Sequence, residues 1–442
     1  MKRTQWLALA ATLAIFATAS PTVAFAQSSD GAKPLASEIG VTPTTIRLAV
    51  IADVDTPLAP GLFQGSVNGV KGWAKYVNAH GGLAGRKVTI DFIDSKLSAD
   101  EARNAAITAC QNDFALVGTS ALFLSNVDDI EKCTDVTGAA TGIPDLAVVA
   151  NETDQQCSPT TYSINPPTLE CATRDQHPQT YHANAGRAFY YQQRSQEKLH
   201  GAYLFTSDIK SAENANRGSM TQMQRAAPGI KQDFEGLVSG RATQSVYTPI
   251  VQQLKDKSSN YAQSGSSFNS TVLLRKEAKL QGITDPNFVW DCTLQCYDKN
   301  LIEQGGADVE GQYISTLFLP FEEKASNKML AQFLKYVPQP DGFAIQAWAS
   351  GLLIQQAITQ AVQKDGVNAV TRKALFEQLA TIKTFNAAGM IGATDIADHQ
   401  PTNCFALVQV KNSKFVRVFP TKKGTFDCKA RNLISVKLDL LK

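Results

Sequence analysis

The sequence lacks the motifs that mark the common classes of enzyme. It contains no G-x-S-x-G nucleophile elbow, no H-E-x-x-H metal motif, no G-x-x-x-x-G-K-[ST] phosphate loop and no G-x-G-x-x-G dinucleotide motif. Histidine is scarce, with five in 442 residues, and only His177 and His182 lie close together, at a spacing that does not place both on one helical face. A secreted hydrolase is therefore the least favoured function class, and we expect no cofactor.

Long apolar runs and charge of one sign are also missing. After the first 26 residues no stretch approaches the roughly 20 apolar residues that a membrane helix needs. Basic and acidic residues nearly balance, at 42 and 40, and the basic residues form no cluster. These features disfavour a nucleic-acid partner and stable insertion into a membrane, and we expect a monomer.

The N-terminus has the pattern of a secretory signal peptide. Lys2 and Arg3 precede an apolar run from Trp6 to Ala19, and an A-x-A site ends at Ala26. We therefore assign residues 1–26 to a cleavable leader. Because no cysteine lies near the predicted cut to carry a lipid anchor, we expect release into the periplasm.

Cysteine usage agrees with export, since an even number in a secreted chain favours disulfides. Eight cysteines allow 105 connectivities, and their spacing favours pairing between sequence neighbours. A zinc or redox role for the C-x3-C pair is weaker, because no second ligand pair is near. The predicted bridges are Cys110–Cys133, Cys157–Cys171, Cys292–Cys296 and Cys404–Cys428.

Hydrophobic periodicity predicts an α/β fold in two parts. In the first part, the strand candidates are 46–51, 87–94, 114–117 and 146–150, and the helix candidates are 62–79, 99–112 and 126–138. A polar stretch, 151–181, precedes the second part, whose strand candidates are 201–205, 234–238, 270–274 and 287–290 and whose helix candidates are 183–197, 213–227 and 248–257. Helices at 344–362 and 372–382 and a hairpin over 405–418 complete the chain.

Such alternation predicts open, mostly parallel sheets, and the chain is longer than one hydrophobic core ordinarily accommodates. Ligands of open α/β sheets bind beyond the carboxyl ends of the strands. Two facing lobes would therefore form the two walls of one cleft.

Several segments together resemble one known family. They are TIRLAVI, NAHGGLAGRKVTIDFIDSK, ALVGTSA, GIPDLAVVANET, AWASGLLIQQAI and FALVQVKNSKFVRVFP, which span nearly all of the chain after the leader. The order resembles the periplasmic solute-binding proteins of branched-chain amino acid type ABC transporters, the type I binding-protein fold. The Gly-Gly-x-x-Gly-Arg element is the most specific of these matches.

The resemblance implies two Rossmann-like lobes that close about a hinge. It implies a first lobe of 44–165 plus 319–398, a second of 166–318 plus 403–442, and crossovers near 163–166, 315–319 and 398–404. The implied function is extracytoplasmic delivery of a small polar solute to an ABC permease and ATPase. A sensor that presents the solute to a separate receptor is the alternative.

In the first lobe, the resemblance and the strand ends suggest three pairs of binding residues. Thr119 and Ser120 close a strand and are expected to open a helix, where free N–H groups bind a carboxylate in the similar family. Asn151 and Thr153 follow the next strand and are candidates for a polar head. Asp53 and Phe63 lie at the first strand-to-helix turn, although Phe63 fits the core equally well.

In the second lobe, the candidates are Asp208, Trp290 and Asp291, each just past or at a strand end. A carboxylate there would offset a ligand cation, and an indole would offer a flat apolar or cation-stacking wall, although Trp290 fits core packing equally well. The similar family often carries D-x-x-Y-G after this strand, whereas the segment TSDIKSAENANRGS keeps Asp208 but has no tyrosine-glycine pair three residues after it. The solute therefore stays open among an amino acid, an amide and a carboxylate.

Overall fold

The computed structural model describes residues 31–56, 58–166, 168–226 and 229–440, so the predicted leader lies outside the described residues. The strands are β1 Thr45–Ala52, β2 Lys87–Asp94, β3 Ala115–Val117, β4 Asp145–Leu146, β5 Gln179–Asn184, β6 His200–Thr206, β7 Lys231–Val238, β8 Tyr261–Ser264, β9 Val289–Cys292, β10 Tyr313–Thr316, β11 Ala406–Lys411, β12 Lys414–Phe419 and β13 Leu433–Leu438. The helices are α1 Gln64–Ala79, α2 Ala99–Asn112, α3 Asp128–Glu131, α4 Thr153–Gln156, α5 Gly186–Arg194, α6 Lys210–Arg225, α7 Thr248–Asp256, α8 Phe268–Leu280, α9 Lys299–Gly305, α10 Lys328–Tyr336, α11 Gly342–Asp365 and α12 Arg372–Leu379.

A parallel four-stranded sheet, in the order β2-β1-β3-β4, forms the centre of the first lobe. Its central strand β1 is apolar on both faces because helices cover both sides. Leu48 and Val50 belong to one apolar cluster, and the intervening Ala49 and Ile51 belong to another. The predicted parallel α/β architecture is confirmed in this lobe.

Helices α10, α11 and α12 return to the first lobe, where α11 packs along α1. The two backbones approach closely at Gly69, where an added Cβ atom would lie 2.1 Å from the carbonyl oxygen of Ala344. Almost every side chain in the first five turns of α11 is buried, which explains its strongly apolar sequence. No helix in the described part of the chain is long and apolar enough to cross a membrane.

The second lobe contains a seven-stranded sheet in the order β12-β11-β10-β9-β8-β6-β7. Strands β10, β9, β8, β6 and β7 run parallel, and the β11–β12 hairpin adds two antiparallel strands. A separate pair, β5 and β13, joins residues 179–184 to residues 433–438. The predicted α/β fold of two Rossmann-like halves is therefore confirmed as a fold class.

The predicted strand 270–274 is wrong. These residues lie inside helix α8, whose N-cap Ser267 accepts a hydrogen bond from the amide of Ser270. The strand of this region is instead β8, between β6 and β9. The β-branched residues in 270–274 favoured a strand. The structure has a helix instead, because Ser267 caps its N-terminus and Val272 and Leu274 are buried against the sheet.

Two predicted helices are also shorter than expected. In place of a helix over 126–138, α3 ends at Glu131, because the carboxylate of Asp135 accepts hydrogen bonds from Thr137, Ala139 and Thr141 and organises a loop. The predicted helix 183–197 begins only at Gly186, since the preceding residues pair with β13. That pairing joins segments about 250 residues apart, and a local pattern does not reveal it.

The four predicted disulfides are the ones that the structure forms: Cys110–Cys133, Cys157–Cys171, Cys292–Cys296 and Cys404–Cys428. The first ties α2 to the loop after α3. The last joins the start of the final hairpin to the segment that follows it. Three of the bridges lie outside the two sheets, and Cys292–Cys296 ties the last residue of β9 to the turn that follows it.

Candidate functional site

A cavity of about 690 Å³ lies between the two lobes. Its walls come from the segments that follow β1, β2, β3 and β4 in the first lobe and β6, β7, β8, β9 and β10 in the second. The three stretches predicted as crossovers add Asn165 and Pro166, Ser315 and Leu317, and Pro401 and Thr402. The cavity is large enough for a small molecule and lies where open α/β sheets bind ligands.

The first-lobe wall of the cavity is mainly apolar. Leu62, Phe63, Leu122 and Val148 line it, and Phe63 also packs edge-to-face on Phe343, with 4.9 Å between ring centroids. Phe63 therefore has both of the roles considered for it, since it is buried in the core and borders the cavity. This wall suits the apolar part of a ligand.

The second-lobe wall is mainly polar. Its side chains include Asn184, Arg187, Asp208, Asn216 and Ser219. One oxygen of Asp208 already accepts a hydrogen bond from the amide of Gly240 at 2.6 Å. Asp208 lies at the cavity, as expected for a binding residue, and also holds the loop after β7.

Arg187 is one of the cavity residues that the sequence patterns did not reveal. Its side chain projects from α5, a short helix between the unforeseen strand β5 and β6, and is only 4% exposed. The only sequence signal was an arginine within GRAFYYQQR, among aromatic residues that pack in the core. Buried arginines are uncommon unless they are paired, and this one is paired.

The partner of Arg187 is Asp291, which was expected at the cleft surface. Asp291 is instead 1% exposed and accepts hydrogen bonds from Arg187 Nε at 3.0 Å, Tyr191 Oη at 2.7 Å and Tyr261 Oη at 2.8 Å. The prediction that Asp291 faces the ligand is therefore corrected: it lies behind Arg187. Its strand end is covered by α5, which local sequence patterns did not show.

The contacts around Asp291 set the protonation states of Arg187, Tyr191 and Tyr261. Burial alone lowers the pKa of Arg187, but the carboxylate of Asp291 outweighs that effect, so the pKa of Arg187 is raised. Burial also raises the pKa values of Tyr191 and Tyr261 well above the usual value, so both hydroxyls stay protonated as donors. The guanidinium therefore stays charged at the edge of the cavity.

Trp290 does not lie at the cavity either. It is 5% exposed and stacks on Phe288 with 4.1 Å between ring centroids. The guanidinium of Arg275 lies over its ring, 4.5 Å from the ring centroid. Neighbouring residues of a strand point to opposite faces, and Trp290 packs in the apolar cluster beneath α7 and α8. The predicted aromatic wall is therefore core packing.

The turn at Thr119 and Ser120 differs most from the expectation. No helix begins there; the next one is α3, and the amide of Ser120 donates to the carbonyl of Ile51 at 2.8 Å. The Ser120 hydroxyl bonds to that of Ser66 at 2.8 Å, and both Ser120 and Thr119 are fully buried. The predicted helix N-terminus for a carboxylate is wrong, because this segment extends the sheet.

Asp53 holds the loops of the first lobe together. It is fully buried and accepts hydrogen bonds from Ser95 Oγ at 2.6 Å and from the amides of Leu97 and Leu122, both at 2.8 Å. Burial raises its pKa, against the opposing effect of these hydrogen bonds. Asp53 is thus a positioning residue for the loops after β1, β2 and β3 rather than a cavity residue.

Of the two candidates after β4, Asn151 lines the cavity. Its carbonyl accepts a hydrogen bond from Gln156 at 2.8 Å. Thr153 is the first residue of α4 and is not part of the cavity wall. Among the described residues, no group of His, Cys, Asp and Glu is arranged to hold a metal ion.

Comparison with known structures shows the same fold at low sequence identity. An ABC transporter substrate-binding protein from Aeropyrum pernix matches with a TM-score of 0.66 and 16% identity, over 88% of this chain and 97% of that one. A leucine-binding protein from Thermotoga maritima matches with a TM-score of 0.61 and 16% identity, over 84% and 97%. A fatty acid ABC transporter substrate-binding protein from Thermomonospora curvata matches with a TM-score of 0.64 and 15% identity, over 91% and 100%.

A search of curated protein sequences finds no match. The family model described as periplasmic binding protein matches residues 45–414, which include the four-stranded sheet, the seven-stranded sheet up to the start of β12, and every segment that lines the cavity. The members of this family bind solutes and are not enzymes. The chain belongs to the periplasmic binding protein family.

Proposed function

We propose that this protein binds a small solute in the periplasm and delivers it to an ABC importer. The observation that carries the proposal is the cavity at the facing carboxyl ends of both sheets, bordered by residues of all three predicted crossovers. A ligand held there contacts both lobes at once. Closure of the lobes around it would give the permease and ATPase a loaded form to recognise.

The family and the solved structures support this proposal. Two of the similar proteins are named for leucine and for fatty acid, so one fold carries solutes of different chemistry. The cavity contains both apolar and charged groups, which suits a small amphipathic solute. A cleavable leader, as predicted for residues 1–26, would place the protein in the periplasm.

A thermal-shift screen of amino acids, amides and carboxylates tests the binding step. A compound that binds only the folded state stabilises it by RT ln(1 + [L]/Kd), about 2.7 kcal/mol at a hundredfold excess over Kd. We expect at least one class to raise the melting temperature. Uptake of the same compound should be lost in a strain from which the gene is deleted.

Gly240 offers a variant that tests closure. A Cβ atom at this position would lie 3.6 Å from the carbonyl oxygen of Leu58 in the first lobe and 3.6 Å from Asp208 in the second, which is ordinary contact. We therefore expect Gly240→Ala to bind normally and Gly240→Phe to bind weakly, because a phenyl ring separates the lobes. Equal affinity in both variants would contradict a mechanism that requires the lobes to approach at this point.

A further inference from the structure

The guanidinium of Arg187 has hydrogen-bonding capacity that the protein does not use well. Arginine carries five N–H donors, and Nε takes the strong contact to Asp291. The two Nη groups make only long contacts within the described residues, 3.5 Å to the carbonyl of Asn184 and 3.4 Å to Ser219 Oγ. Hydrogen bonds of this type ordinarily measure 2.7–3.2 Å. The Nη donors are thus poorly satisfied in a side chain that borders the cavity and is only 4% exposed.

Asp291 does not accept hydrogen bonds from the Nη groups of Arg187. Its two oxygens are already occupied by Arg187 Nε and by the hydroxyls of Tyr191 and Tyr261. The carboxylate therefore fixes the orientation of the guanidinium from behind and leaves the Nη edge free to turn to the cavity. A planar guanidinium edge matches a carboxylate, to which it donates two parallel hydrogen bonds.

The other charged side chains of the cavity wall are acidic and already hold backbone amides. Asp208 accepts from the amide of Gly240. Asp298 and Asp341 are the N-caps of α9 and α11, and they accept from the amides of Asn300 and Ala344, both at 2.7 Å. Across the cavity, Leu62, Phe63, Leu122 and Val148 form the apolar wall. A ligand whose anionic group binds Arg187 and whose apolar body packs against the first lobe would contact both walls.

We propose that the solute is a monocarboxylate with an apolar body and no ammonium group, whose carboxylate binds the Nη groups of Arg187. This inference rests on the proposed function and specifies its solute class. It differs from the sequence expectation, which placed the carboxylate at Thr119 and Ser120 in the first lobe. Desolvation in the cavity strengthens the charge-assisted bonds relative to those in water.

A matched set of three compounds tests the proposal on the unaltered protein: 4-methylpentanoate, 4-methylpentanamide and leucine. They share one carbon skeleton and differ only in the carboxylate and the amino group. We expect calorimetry to show that 4-methylpentanoate binds at least about tenfold more tightly than its amide, because charge-assisted hydrogen bonds to arginine are lost. Leucine should bind no more tightly than 4-methylpentanoate. Octanoate and 3-phenylpropanoate extend the apolar body and should bind more tightly still.

Variants of α5 locate the carboxylate. Arg187→Gln should weaken binding of 4-methylpentanoate at least about tenfold and bring it close to that of the amide. Arg194→Gln removes the same charge from an exposed position on the same helix and should leave both affinities unchanged. Since Arg187→Gln leaves Asp291 without its cationic partner, the double variant Arg187→Gln/Asp291→Asn provides a second readout with no buried charge.

Each outcome separates this inference from the proposed function. If the amide binds within tenfold of 4-methylpentanoate, if leucine binds more tightly, or if both Arg187 variants retain full affinity, the inference is overturned while solute binding stands. If no compound of any class in the screen binds, both are overturned. Selective binding of the carboxylates, lost in both Arg187 variants, supports the inference.

Discussion

Arg187 on α5, which borders the cavity, and Asp291 on β9, which lies behind it, form an ion pair with 3.0 Å between Nε and Oδ2. Both side chains are at least 95% buried. The pair joins a helix to the sheet on which the second-lobe wall is built. A single contact therefore contributes to the packing of the lobe and to the position of a charged group at the cavity.

Removal of Asp291 tests the structural part of this role. We expect Asp291→Ala to lower the free energy of unfolding by about 3–5 kcal/mol, because it leaves a buried guanidinium without its counter-charge. Urea denaturation measures the change. The control is Glu303→Ala, which breaks the exposed pair with Lys299 and should cost no more than about 1 kcal/mol. Similar losses in the two variants would show that burial of the pair has no special weight.

Asp53 should control the order of the first-lobe loops. Asp53→Ala leaves the amides of Leu97 and Leu122 and the hydroxyl of Ser95 without their acceptor, and we expect a loss of about 3 kcal/mol or more. The exposed neighbour Asp55 is the control, since Asp55→Ala should change stability by no more than about 0.5 kcal/mol. Hydrogen exchange at Leu122 distinguishes local loosening from general loss of stability. Unchanged protection there in Asp53→Ala would contradict the assigned role.

Asp145 predicts a pH dependence of stability. It is fully buried and accepts from Gln155 at 3.0 Å, and the hydroxyls of Thr119 and Thr161 lie near it without forming hydrogen bonds of standard geometry. Burial raises its pKa from 3.8 to about 6, so the folded protein holds this proton more tightly than the unfolded chain. Its contribution is full below about pH 3.8 and is lost as the pH rises through about 6.

The variant Asp145→Asn removes this titration and keeps the shape of the side chain. We expect little change in the free energy of unfolding near pH 4 and a gain of about 2–3 kcal/mol at pH 7.5, where the buried carboxylate is ionised in the parent protein. Denaturation curves across this range provide the measurement. A difference that does not vary with pH would show that Asp145 keeps an ordinary pKa.

Two helical glycines should respond in opposite directions to substitution by alanine. At Gly69 the new methyl group would meet the carbonyl oxygen of Ala344 at 2.1 Å, and we expect a loss of about 1–3 kcal/mol as α1 and α11 separate. At Gly218 in α6 the nearest atom lies 4.0 Å away, and alanine should stabilise the protein by about 0.5–1 kcal/mol through its helix propensity. Thermal unfolding of both variants compares the effects directly. A stable Gly69→Ala protein would mean that the helices can move apart at low cost.

Much of the fold could be predicted because its signals are local. The strand β1 is apolar on both faces, α11 is a long apolar helix, and the cysteines lie near their partners in sequence. Where a signal was misleading, a contact between distant segments decided the result. Residues 179–184 became a strand because β13 pairs with them, and residues 270–274 became part of a helix packed on the sheet.

The candidate site could be predicted less well. The sequence placed the cavity at the carboxyl ends of the strands, and Phe63, Asn151 and Asp208 line it. It did not show which polar side chains point inward. Asp53, Ser120 and Asp291 follow or end strands as expected, yet each is buried behind the wall by hydrogen bonds to another element.

By itself, the sequence determined the alternation of strands and helices, the division into two halves and the edge of each sheet where the cavity lies, since these follow from periodicity and chain direction. Only the tertiary structure decided that Arg187 borders the cavity while Asp291 and Trp290 do not. That choice depends on how α5 packs over the end of β9 and on which face of β9 each side chain occupies, and both are set by contacts between segments about 100 residues apart.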